Sequence, residues 1–314
     1  RDMHDWKVVR GCVGVEVEDC EQVVIANNIF DTCSGDGIAL TGTTKAIIYG
    51  NLIKDTGQTS PNYPACNGIE IQDGSAEVVV AENYIENSLG DGIELSVHPE
   101  EPAVRGVTIT GNVIKYMGEC GIQISGRDGA NIQEITIEGN EILLPEGSSK
   151  EGICILRADS VSLVGNVTRK ATFEDYKRNG ITLEKAEAIT VVGNTINNAG
   201  YRGIGLRDNV NDFVIKGNTI NHSRWGIYYY GDTPEPSNGK IIGNVIINST
   251  GGAFTPELLA ISSIEICRNI GYVTEASGTA TIPSGQTSVT VNHGLAGTPT
   301  IVTVTPSANI GDVW

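Results

Sequence analysis

The stretch Val107–Ile124, VTITGNVIKYMGECGIQI, decides the fold. Three short apolar runs, Val107–Ile109, Val113–Ile114 and Ile122–Ile124, are separated by a Gly-Asn corner and by a looser corner containing glycine. The unit returns as VVIANNIFDTCSGDGIAL, VVVAENYIENSLGDGIEL, ITVVGNTINNAGYRGIGL and FVIKGNTINHSRWGIYY. Its corner asparagines fall at Asn28, Asn51, Asn83, Asn112, Asn140, Asn166, Asn194, Asn218, Asn244 and Asn269, at intervals of 23, 32, 29, 28, 26, 28, 24, 26 and 25 residues. Repeats of this length with strand patterning mean a solenoid.

Within each unit the alternation has period two. In Gly121-Ile122-Gln123-Ile124 the isoleucines point one way and Gln123 the other. Such short runs bury their apolar side only by stacking on the copy in the next unit, which gives parallel sheets around a shared interior. Three runs per unit predict three sheets and a triangular section. About ten coils spaced about 4.8 Å apart make a rod roughly 50 Å long. The corner asparagine is expected to take the left-handed backbone conformation and to bond its neighbours above and below.

With its repeated (V/I)x(V/I)xGN-x-I…GI-x-(L/I) pattern, the chain resembles the right-handed parallel β-helix proteins of the pectate-lyase-like group over residues 8–272. The expected architecture is therefore all-β: a right-handed parallel β-helix over 1–272, followed by a small Thr-rich β module over 273–314. In that module Thr279–Ile282, Thr287–Asn292 and Thr300–Thr305 read as strands, and the piece is similar to small β modules at the ends of phage tail and secreted β-helix proteins. Only Ala171–Arg178 reads as helical, for a turn or two. Both ends read as cuts from a longer protein.

The net charge of −17, with 38 acidic against 21 basic residues, argues against nucleic acid and against an anionic membrane surface. It also disfavours an acidic polysaccharide, unless Ca²⁺ bridges the two. No apolar run is long enough to span a membrane. The seven cysteines show no zinc-ligand spacing, and most fit buried apolar positions of the coil. Cys33 and Cys66, in corresponding corners of adjacent units, are the pair best placed for a disulfide.

The resemblance implies that the Gly-Ile-x-Ile/Leu strand of each unit lines a binding groove. Its outward residues include Glu70 and Glu94 in adjacent coils, beside the insertions at 54–66, 97–106 and 126–134. Two carboxylates held one coil apart repel, so one is expected to keep a proton and serve as an acid while the other stays ionised. His98 and Arg127 on the flanking loops are candidate helpers, as a proton acceptor or an anchor for a uronate. The same residues also fit a solvated β face. Asp36, Asn67 and Asp91 precede the Gly-Ile step in three consecutive coils; they offer oxygen ligands of the Ca²⁺ type, or ordinary turns. Tyr201, Arg207, Trp225, Tyr228 and Tyr230 gather in two adjacent units of a chain with 5% aromatics, as a sugar-stacking platform or as the seat of a loop or neighbouring subunit.

Two functions compete. One is a secreted glycoside hydrolase or polysaccharide lyase acting along the groove, with no cofactor beyond Ca²⁺. The other is a non-catalytic rod, such as a tailspike, adhesin or surface-layer element, forming a homotrimer or contacting further domains. Both place the chain outside the cell or on a virion surface, in contact with glycan. No polygalacturonase or alginate-epimerase catalytic motif is present, and Val97-His98-Pro99-Glu100 does not supply one.

Overall fold

The computed structural model describes residues 13–57, 66–126, 132–145, 150–170, 179–231 and 234–272, with 279–291, 295, 298–299 and 301–305 beyond them. Strands of three to seven residues, and two longer ones, wind into a parallel β-solenoid. Its one helix among the described residues is a single turn, Pro256–Leu259. The first face is a ten-stranded sheet running from Val24–Ala26 through Val104–Thr110 to Ile264–Cys267. Ten stacked strands span nine steps, or about nine turns.

The second and third faces are one hydrogen-bonded sheet of 17 strands rather than two. The join is local. Thr195–Arg207 passes its corner unbroken, pairing with Val167–Lys170 on one face and Ile181–Glu184 on the next, and Thr219–Tyr229 follows the same course. Three faces are present, as the three runs predict, but two corners in the later coils are too short to interrupt the ladder.

Each third-face strand stacks in register. Ile38, Ile69, Ile93, Ile122, Ile153, Ile181, Ile204 and Ile227 form one column, fully buried throughout. Burying each contributes about 2 kcal/mol. The glycine before each isoleucine answers a close approach. A Cβ on Gly121 would lie 2.4 Å from Ile142 Cγ2 and 2.7 Å from the Gly152 carbonyl oxygen.

The asparagines form a continuous ladder. From Asn28 to Asn244, each donates both its backbone N–H and its Nδ2 to the Oδ1 of the next, at 2.9–3.1 Å. From Asn51 onward, Nδ2 also reaches a first-face carbonyl, as Asn140 does to Ile109 at 2.9 Å. The left-handed conformation falls on the preceding residue and not on the asparagine. Gly111, Gly139 and Gly165 have φ near +63°, and Asn27, Glu82 and Arg268 take the same shape in other coils. The asparagine side chain is buried and supplies the hydrogen bonds a strand would make at the corner.

Several expectations fail. Cys33 and Cys66 are thiols, not a bridge; Cys66 is buried and its sulfur donates to the Ser34 carbonyl oxygen at 3.5 Å. Only Cys66, Cys120 and Cys154 are buried among the six described. No strand forms at the described residues of 279–291 and 301–305, where Ile282, Val291, Ile301 and Val304 are exposed. A Thr/Val-alternating segment has one thin apolar face, and among the described residues no strand pairs with it. The helical turns expected at 171–178 lie outside the described residues.

The ladder sets a stability test. Asn140→Ala removes the acceptor of the Asn112 backbone N–H and the Nδ2 donor to the Ile109 carbonyl inside the coil, and should destabilise by about 3 kcal/mol. Asn28→Ala, at the exposed end, should cost less than about 1 kcal/mol. Denaturant melts that rank the two equally would contradict the ladder's role.

Candidate functional site

Two columns of side chains define the outer surface of the third face. The first precedes the Gly-Ile step, and its register is fixed by glycine N–H groups donating to the next coil's carbonyl: Asp36, Asn67, Asp91, Cys120, Glu151, Asn179 and Arg202 stack in that order. The second is the outward strand position, where Ala39, Glu70, Glu94, Gln123, Cys154, Thr182, Gly205 and Tyr228 align. Alternation along the strand pushes these groups outward while the isoleucines fill the core.

In the early coils the two columns merge. The Asn67 N–H donates to Asp36 Oδ1, the Asp91 N–H to Asn67 Oδ1 at 2.8 Å, and the Cys120 N–H to Asp91 Oδ1 at 2.6 Å. Asn67 Nδ2 crosses to Glu94 Oε2 at 2.8 Å, and Gln123 Nε2 reaches Glu94 Oε1 at 3.2 Å. Glu70 hydrogen-bonds to Asp36. Asp36, Glu70, Asp91 and Glu94 are thus joined in one carboxyl cluster. One oxygen each of Asp36, Asn67 and Asp91 is committed to a backbone N–H, which reduces what they offer Ca²⁺.

Crowding decides where the protons sit. Burial, then the charges of Asp36 and Glu94, push Glu70 up to about 8. Burial and the Glu94 charge likewise push Asp91 up to about 8, and burial raises Asp36. Near neutral pH Glu70 and Asp91 hold protons, and the Glu94 oxygens accept from the neutral amides of Asn67 and Gln123.

The other candidates divide. His98 is drawn to Asp73: its Nδ1 lies 2.7 Å from Asp73 Oδ2, and its N–H donates to Asp73 Oδ1 at 2.8 Å. Asp73 follows the strand Ile69–Gln72, so this pair sits at the strand end opposite Asp91. Arg127 lies outside the described residues. Tyr201, Trp225, Tyr228 and Tyr230 do gather, and the three tyrosines close around Arg202, which the sequence offers beside Arg207 as a donor to sugar hydroxyls or carboxylates. The Arg202 guanidinium stands 4.0, 4.2 and 3.8 Å from the Tyr201, Tyr228 and Tyr230 ring centres and donates to the Tyr230 hydroxyl. Trp225 meets Tyr228 edge-on, with ring centres 6.2 Å apart. Arg207 stands 5.6 Å from the Tyr230 ring centre and also reaches Glu184, 3.4 Å away. A shallow cavity of about 650 Å³, lined by Leu143, Arg169, Lys170 and residues of the neighbouring coils, lies on the second face and shares no residue with these clusters.

Two stretches, residues 7–105 and 101–255, match the family described as right handed beta helix region. The chain belongs to the right-handed β-helix family. No curated protein sequence matches it. Among solved β-helices it is similar to PfbA, a surface adhesin of Streptococcus pneumoniae, with TM-score 0.62 and 17% identity over 76% of this chain and 62% of that one. It is also similar to the pre-mature bacteriophage phi29 gene product 12, with TM-score 0.61 and 16% identity over 79% and 35%. A third is tailspike protein 2 of Escherichia coli O157:H7 bacteriophage CAB120, with TM-score 0.56 and 10% identity over 83% and 39%. The chain therefore spans less than two thirds of each of these relatives.

A pH test follows from the cluster. A carboxyl whose folded pKa lies above its unfolded value binds its proton better in the folded chain. Its stabilisation is full below the unfolded value and is lost as pH rises through the folded one. For Glu70 and Asp91 the window runs from about 4 to about 8. Thermal melts should fall across it, and Glu70→Gln with Asp91→Asn should flatten the fall and raise the melting temperature at the alkaline end. A wild-type chain that melts higher at pH 8.5 than at pH 5 would contradict the assignment.

Proposed function

We propose that the β-helix is an extracellular or virion-surface glycoside hydrolase acting on a polysaccharide laid along the third face. The observation that carries this is the Glu70–Glu94 pair: a carboxyl that keeps its proton near neutral pH, one coil from a carboxylate. Glycoside hydrolysis needs one acid to protonate the leaving oxygen and one carboxylate to act as nucleophile or base. Paired strands stand about 4.8 Å apart, close to the roughly 5–5.5 Å separation of carboxyl groups in retaining enzymes. Glu70 is the acid and Glu94 the nucleophile or base. The partly exposed Trp225 and Tyr228, farther along the rod, would stack sugar rings at distal subsites. A Ca²⁺ bridge from Asp36, Asn67 and Asp91 to an acidic glycan would need Asp91 to give up the proton it holds near neutral pH. A lyase is less well supported, since His98 faces Asp73.

A second reading is a non-catalytic glycan-binding rod. It is favoured by the aromatic cluster, which closes on Arg202 rather than opening a flat platform. An exposed apolar stripe on the first coils, Val24, Ile47 and Val79 in register, supports self-assembly in that case; a trimeric mass in sedimentation is the expected outcome there.

Neutral and uronate polysaccharides incubated with the chain, with and without Ca²⁺, separate the readings. New reducing ends without unsaturated-uronate absorbance are expected. Glu70→Gln and Glu94→Gln should each lower the rate by at least about 100-fold with the β-sheet circular dichroism unchanged. Unsaturated ends would replace hydrolase with lyase, and silence on every substrate would leave the rod.

A further inference from the structure

Past the carboxyl cluster the outer columns change chemistry. The oxygen ladder of Asp36, Asn67 and Asp91 ends at Cys120, whose N–H takes the last rung but whose own side chain is a thiol. That sulfur lies beside Cys154, with Glu151 completing the group. One donor atom from each of the three residues falls within 4.8 Å of the others, and all three residues are buried. Cys120 comes from one coil, and Glu151 and Cys154 from the next. The contacts within the group are mutual, Cys154 hydrogen-bonding both Cys120 and Glu151. Among the described residues, the other donor to Glu151 is the neutral Asn179 Nδ2 at 3.2 Å, while neighbouring Lys150 pairs with Glu119. Two thiols and a carboxyl thus converge without a described basic side chain bonded to them.

We infer that Cys120, Cys154 and Glu151 form a binding site for a thiophilic d¹⁰ cation of the Zn²⁺ type, clipping two adjacent coils together. Sulfur donors select soft or borderline ions over Ca²⁺ and Mg²⁺. Zn–S bonds of about 2.3 Å place tetrahedral sulfurs about 3.8 Å apart, so the donors need to draw in by no more than about 1 Å. Three protein ligands leave the fourth position to water. Binding converts the two thiols to thiolates and releases two protons to solvent, so one M²⁺ enters for each pair of protons lost. This site is separate from the proposed hydrolytic pair and does not depend on it.

Cobalt(II) reports the site directly. The reduced full chain, titrated with Co²⁺, should show a thiolate-to-cobalt charge-transfer band that saturates at one equivalent and collapses when one equivalent of Zn²⁺ is added. Cys120→Ser and Cys154→Ser should each abolish the band, and Glu151→Gln should weaken it. Zn²⁺ should raise the melting temperature of the wild type by several degrees and leave both serine variants where they were. Circular dichroism and the metal-free melts show that the variants are folded. Absence of the band in the reduced wild type would overturn the inference. So would a band that survives Cys154→Ser, since it would belong to other thiols of the chain.

Discussion

Everything in this molecule depends on in-register stacking at the spacing of paired strands, about 4.8 Å. A parallel coil that returns to the same register places like positions on top of one another, and each column must then tolerate its own repetition. Isoleucine does so by packing on isoleucine, as from Ile38 to Ile227. Asparagine does so because its side chain is both donor and acceptor, so each copy satisfies the next without a change of residue. Glycine is needed where the Gly121 backbone meets Gly152 too closely for a Cβ. Carboxylates do not tolerate repetition. Where Asp36, Glu70, Asp91 and Glu94 are stacked and partly buried, the repulsion is relieved by keeping protons.

The same constraint divides the outer face along its length. Early coils carry oxygen, the middle carries sulfur, and the later coils carry tyrosines around Arg202. A polysaccharide lying on this face would pass from a carboxyl cluster to aromatic rings without leaving one strand position, which is how a regular rod acquires distinct subsites.

Much of this was legible in the sequence. The ten asparagines gave the coil, its length and the face of each alternating residue, because solenoid register is local and repeats. The pairing of Glu70 with Glu94 followed from the same register. What escaped were relations across columns. Asp36 and Asp91 read as turn or Ca²⁺ residues because the sequence does not show Asn67 bridging to Glu94. Cys120, Glu151 and Cys154 have no metal-ligand spacing along the chain, since a full coil separates the first from the others. His98 sits on the loop where the sequence put it, but its partner Asp73, 25 residues earlier, was not legible. Arg202 stands in the column before the Gly-Ile step, but the sequence does not show that its guanidinium turns onto three tyrosine rings. At the described residues of the C-terminal segment the alternation is present without a strand, and alternation alone does not make a sheet.

The most direct measurement of the central claim is a carboxyl-carbon NMR titration of the chain labelled at glutamate. The account predicts one glutamate resonance with its midpoint near 8, absent in Glu70→Gln. Every glutamate titrating below about pH 5, the ordinary range for exposed carboxyls, would contradict it.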